Sequence, residues 1–230
     1  MFTANESEPI PRESIDIFSV DRFYDRIMRS PISKTIETYK TARVLVIGMG
    51  GLGLPVAEAL VRSTMIRELA IIDDDVLQQE NLNRIGTVSE LGEPKVEVAY
   101  RRLVQIRPIN VIKINDKFTK DYARYLYRYN LIFDETDTLE LLPLLLKYKT
   151  SNNAIISIKY DGFSRGTVFV NAKPFYFKPS DRYEIEPSTV FTANAITGLA
   201  LYYILSHPFW DIVDMKKVIS IDISKMVSWE

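Results

Sequence analysis

Cysteine is absent from all 230 residues of this sequence, and histidine occurs once. The missing thiols exclude disulfide bonds, thiolate zinc sites and any cysteine nucleophile within the chain. An excess of one charge is missing too, because 29 Lys and Arg residues stand against 30 acidic ones and the formal net charge is −1. These totals indicate neither a nucleic-acid-binding face nor a trap for acidic ligands.

Long apolar runs are also lacking. No stretch approaches the roughly 18 consecutive apolar residues of a membrane helix. The N-terminal stretch MFTANESEPIPRES is polar and acidic rather than basic and then apolar. We therefore expect no membrane span, no signal peptide and a cytoplasmic location. Residues 1–18, with two prolines among polar residues, are predicted to form a flexible arm.

The rest of the sequence alternates short apolar runs with amphipathic segments, which predicts one α/β domain over residues 19–230. Residues 19–41 predict two N-terminal helices, and residues 42–150 predict a nucleotide-binding βα core. Residues 151–230 are expected to add antiparallel strands and a helix. The predicted fold is a Rossmann-like, doubly wound sheet, mostly parallel in its N-terminal half.

Several finer elements follow from the same patterns. A tyrosine-rich helix is predicted over 121–129 and another helix over 139–149. The apolar runs 154–160 and 167–170 flank an Asp-Gly turn and predict an antiparallel pair. A helix is expected over about 191–205, followed by a final pair of strands at 218–223 and 225–229.

Four glycines follow the apolar run 44–47 and mark the point where a strand gives way to a helix. They are Gly48, Gly50, Gly51 and Gly53. Glycines at this spacing permit a tight bend and let backbone N–H groups approach phosphates. The pattern alone fits NAD, FAD, SAM or ATP, and also a tight strand-to-helix connection. Asp73 lies twenty residues after Gly53 at the end of the next strand, where an acidic side chain characteristically accepts hydrogen bonds from ribose.

Five motifs stand in one order along residues 21–170, namely GMGGLG (48–53), DDD (73–75), NLNR (81–84), GEPKVEVA (92–99) and LIFDETD (131–137). Together they resemble the ThiF/MoeB group of the ubiquitin-activating enzyme family. Members of this group adenylate a carboxylate, usually the C-terminal glycine of a small ubiquitin-like or sulfur-carrier protein. The resemblance implies ATP and Mg²⁺ as cofactors and a homodimer. Many members also carry a catalytic cysteine and a four-cysteine zinc site, and because this chain has no cysteine, no zinc is expected.

The resemblance also implies roles for individual residues. Asp73, with Asp75, is expected to hold the ATP ribose beside the glycine turn. The triphosphate would be gripped by Asn81, Arg84 and Lys95, the magnesium ion bound by Asp137, and Arg26 donated across the dimer interface. The sequence departs from the family pattern at Ile27, Ile85 and Glu135, where Gln, Gln and Cys are common.

This set of charges also makes sense without the family. In adenylation a carboxylate attacks the α-phosphorus of ATP and pyrophosphate leaves, so catalysis depends on positioning and on neutralising charge. Arg84 and Lys95, with Arg26, supply cations, and Asp137 with Mg²⁺ would neutralise the departing pyrophosphate. Hydride transfer needs none of these charges, which argues against an NAD enzyme.

Plainer interpretations stay open. In these interpretations, the carboxylates at 73 and 75 only cap local structure. The side chains of Arg26, Arg84 and Lys95 are then ordinary solvated charges, and Asp137 belongs to a polar loop. Without cysteine the chain cannot form a thioester on itself, so an active enzyme would stop at the acyl-adenylate. Two other functions are compatible with the sequence. One is an enzyme similar to tRNA threonylcarbamoyladenosine dehydratases, and the other is a non-catalytic scaffold that binds ATP or a ubiquitin-like partner.

Overall fold

A computed structural model describes residues 19–161, 163–174 and 189–226. The flexible arm predicted for residues 1–18 lies outside the described residues. The described strands are β1 (Arg43–Ile47), β2 (Glu68–Ile72), β3 (Asn110–Ile114), β4 (Leu131–Asp134), β5 (Ala154–Tyr160), β6 (Arg165–Val170) and β7 (Lys217–Asp222). The α-helices are α1 (Val20–Met28), α2 (Ser33–Glu37), α3 (Gly53–Ser63), α4 (Lys95–Ile106), α5 (Lys120–Ala123), α6 (Leu141–Lys147), α7 (Val190–Leu205) and α8 (Phe209–Asp214).

The strands form one 7-stranded sheet in the order β3-β2-β1-β4-β5-β6-β7. The pairs from β3 to β5 are parallel, whereas β6 is antiparallel to both β5 and β7. The predicted fold class is therefore confirmed. The strand order reverses between β1 and β4, and doubly wound folds bind ligands outside the carboxyl ends of the strands at such a switch point.

Apolar residues on both faces of the sheet hold the fold together. Strand β1 alternates between two clusters, with Val44 and Val46 packing toward α3, α4 and α7. Leu45 and Ile47 pack on the other face toward α5 and α6. A central parallel strand covered on both faces reads as a nearly continuous apolar run, which is why this segment could be predicted from sequence.

The two N-terminal helices are fixed to this body by tyrosine hydroxyls. Tyr24 on α1 donates to the carbonyl of Thr64 at 2.5 Å, just beyond the end of α3. Tyr39 donates to the carbonyls of His207 at 2.7 Å and Ile204 at 3.0 Å. Among the described residues, no helix combines the length and the apolar character that crossing a membrane requires.

Two predicted helices are shorter in the structure, and one observed helix was not predicted. The segment predicted as one helix over 121–129 forms α5 and then a 3-10 turn, Leu126–Arg128, because aromatic residues favour a continuous helix only weakly. The helix predicted over 139–149 is confined to α6. The strand predicted over 225–229 lies mostly outside the described residues. Its first residue, Lys225, ends a 3-10 turn, Ile223–Lys225, which the Asp222 carboxylate caps by accepting from the Ser224 N–H at 3.2 Å. Helix α8, which begins after Pro208, was not predicted.

Candidate functional site

The glycine turn lies at the end of β1, and two of its positions admit no side chain. Gly48 has φ +88°, and a Cβ there would lie 2.9 Å from the carbonyl oxygen of Glu135. A Cβ on Gly53 would lie 1.7 Å from the carbonyl oxygen of Gly48, which is not a possible contact. The backbone of the turn therefore packs tightly against itself and against the segment after β4. Glycine is required at both ends of the turn for this reason.

The middle of the turn differs from its ends. A Cβ on Gly50 would meet nothing within 4 Å, whereas one on Gly51 would lie 2.7 Å from Cδ of Arg84. The Arg84 side chain therefore crosses the turn at Gly51 and leaves free space beside Gly50. Its Nε–H is buried and has no hydrogen-bond partner. A buried charged donor without a partner is costly, and an anion in the adjacent space would satisfy it.

Asp73 follows β2 and is bonded to the turn. Its Oδ2 accepts from the N–H of Met49 at 2.5 Å, and its Oδ1 accepts from the N–H of Asp75 at 2.8 Å. Burial raises the pKa of Asp73, and the two N–H groups and the nearby Lys95 offset part of that effect. The carboxyl group is held in one orientation beside the glycine turn.

Lys95 is the first residue of α4 and lies next to the same acidic segment. Its ammonium is 2.6 Å from Oδ2 of Asp75, and its backbone N–H donates to the Asp75 carbonyl at 2.9 Å. The Lys95 side chain is 11% exposed against 66% for Asp75. The ion pair thus shields the cation from solvent while its partner stays accessible. Carboxylate oxygens of Asp73, Asp74 and Asp75 lie within 4.8 Å of one another, so Lys95 neutralises a local cluster of negative charge.

Asn81 contributes through the backbone of the loop that carries Arg84. Its side-chain Oδ1 accepts from the N–H of Gln78 at 3.0 Å and caps a 3-10 turn, Gln79–Asn81. The Asn81 carbonyl accepts from the N–H groups of Arg84 and Ile85, each at 2.9 Å. These bonds hold the backbone of the loop at Arg84, and a contact of Asn81 with the triphosphate stays a prediction. Ile85 is 4% exposed and packs in the core, which explains an apolar residue at that position.

Asp137 is exposed on the segment that follows β4. This segment is anchored by Asp134, the fully buried last residue of β4. The Asp134 carboxylate accepts from the Thr136 hydroxyl at 2.6 Å and from the Ser157 hydroxyl at 3.1 Å. Asp137 is thus presented to solvent at the end of a fixed turn that also contacts Gly48 through Glu135.

Two buried ionisable side chains, Lys159 and Glu135, lie beside this turn, and the sequence did not predict their surroundings. Lys159 on β5 is 6% exposed, and its ammonium donates to the carbonyls of Thr136 at 2.5 Å and Asp134 at 3.3 Å. It also lies 3.4 Å from Oδ1 of Asp134. Lysine inside the apolar run of β5 was the available signal, but its partners are known only once β4 and β5 are paired.

The second of these side chains is Glu135, whose two carboxyl oxygens are buried without a hydrogen-bond partner. Burial raises the pKa of Glu135 well above its usual value, the nearby Lys159 opposes that shift, and Asp134 adds to it. The Ile158 N–H also lowers this pKa slightly but does not reach hydrogen-bonding geometry with either oxygen. A buried carboxyl group with a raised pKa therefore stands where the family commonly has cysteine.

Arg26 is the one predicted site residue that lies elsewhere among the described residues. It is on α1 and borders an apolar groove of about 450 Å³ with Ala59 and Ser63 of α3 and Tyr202 of α7. Ser63 is the last residue of α3, and the 11-residue helix separates it from Gly53 by about 15 Å. Within one chain, Arg26 is therefore apart from the glycine turn, whereas Asp73 and Arg84 contact the turn and Lys95 is paired with the neighbouring Asp75.

A doubly wound sheet with a glycine turn at its switch point defines a Rossmann-like α/β domain. The comparison with known families is more specific, because residues 24–174 match the model of the ThiF family. This match covers more than half of the chain, and the chain belongs to the ThiF family.

Two relatives and one solved fold illustrate the similarity. The chain is 36% identical over 109 residues to a tRNA threonylcarbamoyladenosine dehydratase of Bacillus subtilis, covering 45% of this chain and 42% of that protein. It is 32% identical over 123 residues to a sulfur carrier protein adenylyltransferase of Thermus thermophilus, covering 51% of this chain and 45% of that protein. Each match therefore spans less than half of the relative.

The E. coli tRNA N6-threonylcarbamoyladenosine dehydratase TcdA has a similar fold. Its complex with AMP matches at TM-score 0.66 and 19% identity, covering 80% of this chain and 93% of that one. Its complex with ATP matches at TM-score 0.66 and 21% identity with the same coverage. At these identities the similarity establishes the shared fold.

Proposed function

We propose that this chain is an ATP-dependent adenylyltransferase that activates the C-terminal carboxylate of a small ubiquitin-like or sulfur-carrier protein. The observation that carries the proposal is the free space at Gly50, bordered by Arg84, whose Nε–H is buried and unpaired. Asp73 and Lys95 lie beside the same turn. Fold similarity to TcdA, solved with AMP and with ATP, supports an adenine nucleotide at this position.

The proposed reaction forms one P–O bond and breaks another. A carboxylate oxygen of the substrate attacks the α-phosphorus of ATP, and the bond between the α-phosphorus and the bridging oxygen breaks with release of pyrophosphate. Arg84 would bind phosphate oxygens beside Gly51, and Lys95 would exchange its Asp75 partner for phosphate oxygens on which charge accumulates. Asp73 would hold the ribose hydroxyls. No proton transfer is needed, so positioning and charge neutralisation account for the catalysis.

Asp137 is the proposed magnesium ligand. Magnesium prefers one or two carboxylates together with substrate phosphates and waters, and an exposed carboxylate at the end of an anchored turn fits this preference. When bound, Mg²⁺ would neutralise charge on the departing pyrophosphate.

The zero cysteine count leaves no residue of this chain to accept the acyl group as a thioester. The acyl-adenylate would therefore be the product, for attack by an external nucleophile.

Pyrophosphate exchange into ATP tests the proposal, with candidate small proteins that end in Gly-Gly supplied as substrate. Arg84→Ala and Asp137→Ala are expected to lower exchange by a factor of about 100 or more. Arg62→Ala and Asp121→Ala, which change exposed charges on other helices, serve as matched controls and should retain exchange. Full activity in Asp137→Ala would contradict the site assignment. Absence of both exchange and adenylate formation with every substrate would favour a non-catalytic scaffold.

A second candidate is a dehydratase that activates a small carboxylate carried on tRNA, and the 36% identity to the Bacillus subtilis enzyme favours it. The near-zero net charge argues mildly against it, because tRNA binding favours a basic face. The same exchange assay separates the two functions when tRNA bearing threonylcarbamoyladenosine replaces the small protein. If pyrophosphate exchange occurs with this tRNA and with none of the small proteins, the dehydratase function is favoured and the carrier-protein proposal is rejected.

We also propose a homodimer in which Arg26 completes the ATP site of the other protomer. Its position beyond the far end of α3 supports this proposal, since within one chain the other candidate cations lie at the opposite end of that helix. The sulfur carrier adenylyltransferase similarity supports a small protein partner but does not identify it.

A further inference from the structure

A polar pocket of about 510 Å³ opens at the edge of the sheet opposite the glycine turn. We call it the arginine pocket. The residues that line it include Thr41, Arg43, Arg67, Arg128, Asn130 and Asn152. These residues begin or immediately precede parallel strands, whereas the nucleotide site follows the carboxyl ends of the same strands. The five residues of β1 separate the two sites by roughly 16 Å.

The charges of the arginine pocket are not neutralised. Within the part of the chain that the structure describes, none of its three guanidinium groups has an ion-pair or hydrogen-bond partner, and no carboxylate is among its lining residues. Some surface arginines elsewhere are paired, as Arg29 is with Asp25 and Arg101 with Glu93. Three cations gathered without a counter-ion repel one another, so the pocket favours an anionic ligand.

The neighbouring groups strengthen this preference. The carboxamide of Asn130 uses its oxygen to accept from the Arg43 N–H at 2.9 Å, which leaves its NH₂ group as a donor. Arg43 and Arg128 both act on the nearby Tyr129, whose pKa is raised by burial and by Glu68 and lowered by these two arginines. The Glu68 carboxylate also acts on Tyr129, has no ion pair with these arginines, and accepts a hydrogen bond from Asn110 at 2.9 Å. The pocket is therefore rich in donors.

We propose that the arginine pocket binds an oligophosphate, either free pyrophosphate or the phosphate chain of a nucleotide. Guanidinium groups bind phosphate oxygens in a bidentate fork, and three of them match the charge of two or more phosphate groups. The volume is in the range of small-molecule sites and exceeds the size of a single phosphate. This inference does not depend on the proposed adenylation, because it uses none of the residues at the glycine turn.

Isothermal titration of the full-length chain with pyrophosphate at low salt tests the inference. Arg43→Gln/Arg128→Gln should weaken binding by about 100-fold or more, since two charged donors are lost. Arg22→Gln/Arg62→Gln, which removes two exposed arginines outside the pocket, is the matched control and should bind like wild type. Lys95→Ala should also retain this binding while losing pyrophosphate exchange, which separates the two sites.

Further arms of the experiment identify the ligand and check the fold. Thermal unfolding monitored by circular dichroism should be unchanged in the pocket variant, and the single variant Arg67→Gln provides a second test if it is not. In the Lys95→Ala background, an ATP affinity that falls as far as the pyrophosphate affinity when Arg43→Gln/Arg128→Gln is added would point to a nucleotide, whereas an unchanged ATP affinity would point to free pyrophosphate. Unchanged binding in the pocket variants, loss of binding in Lys95→Ala, or equal affinity for orthophosphate would each overturn the inference.

Discussion

At the scale of single residues, the glycine turn offers a matched pair of substitutions. Gly53→Ala places a Cβ 1.7 Å from the Gly48 carbonyl oxygen, whereas Gly50→Ala places it in open space. We expect Gly53→Ala to destabilise the protein by about 3 kcal/mol or more, because neither backbone segment can move freely. Gly50→Ala should leave the free energy of unfolding nearly unchanged and weaken ATP binding about tenfold, since the methyl group enters the proposed phosphate space. Denaturant titration and ATP titration measure the two effects. Normal ATP affinity in Gly50→Ala would place the nucleotide elsewhere.

Glu135 makes stability depend on pH. Its folded-state pKa is raised well above the usual value by burial. The native state therefore holds a proton that the unfolded state releases at its lower pKa. The contribution to stability is fully present below the unfolded pKa, near 4.3, and is lost as pH rises through the folded pKa. We expect the free energy of unfolding, measured with a chelator present, to fall with rising pH above about pH 5, and Glu135→Gln to flatten this slope. An unchanged slope in the variant would assign the dependence to another group.

At the scale of elements, Lys159 links β5 to the turn that carries Asp137. Its ammonium holds two carbonyls of that turn and pairs with the buried Asp134. Lys159→Met leaves the Asp134 carboxylate without this cation, and we expect destabilisation by about 3 kcal/mol. If the proposed magnesium site is correct, the same variant should need a higher Mg²⁺ concentration for half-maximal exchange. Lys34→Met, on α2, is the control, and an unaltered Mg²⁺ requirement in a folded Lys159→Met protein would limit Lys159 to a structural role.

The elements also show how far the sequence can be interpreted. Strands β1 and β2 and the helices between and after them were predictable because their apolar patterns and glycine spacing are local. The environment of Glu135 was not predictable, because its neighbour Lys159 is 24 residues away and is brought close only by the β4–β5 pairing. Helix α8 was missed because it is only 6 residues long and carries little periodic signal. Arg26 matched a family motif, but only the packing of α1 on α3 separated it from the other cations.

At the scale of the whole molecule, the described chain leaves an apolar surface uncovered. Helix α7 is apolar around its circumference, and its side chains Phe191 and Tyr202 are 70% and 65% exposed. Tyr202 also lines the apolar groove beside Arg26. If this surface is the dimer interface, wild type should sediment as a dimer and Tyr202→Asp as a monomer, because an unpaired charge would be buried there. Tyr125→Asp, which changes an exposed tyrosine on the other face of the sheet, should remain dimeric.

Mixing two inactive variants tests whether Arg26 acts across that interface. In a heterodimer of Arg26→Ala with Arg84→Ala, the first protomer keeps its own Arg84 and receives an intact Arg26 from the second. One of the two sites is then complete, whereas each variant alone has none. Random exchange of subunits makes about half of the dimers mixed, so about a quarter of wild-type pyrophosphate exchange should return. A mixture of Arg84→Ala with Lys95→Ala is the matched negative control. If these two residues act in the same site of one chain, no mixed dimer of this pair contains a complete site. Absence of recovery with Arg26→Ala would exclude donation of Arg26 between protomers, and recovery in the control would show that Arg84 and Lys95 act from different protomers.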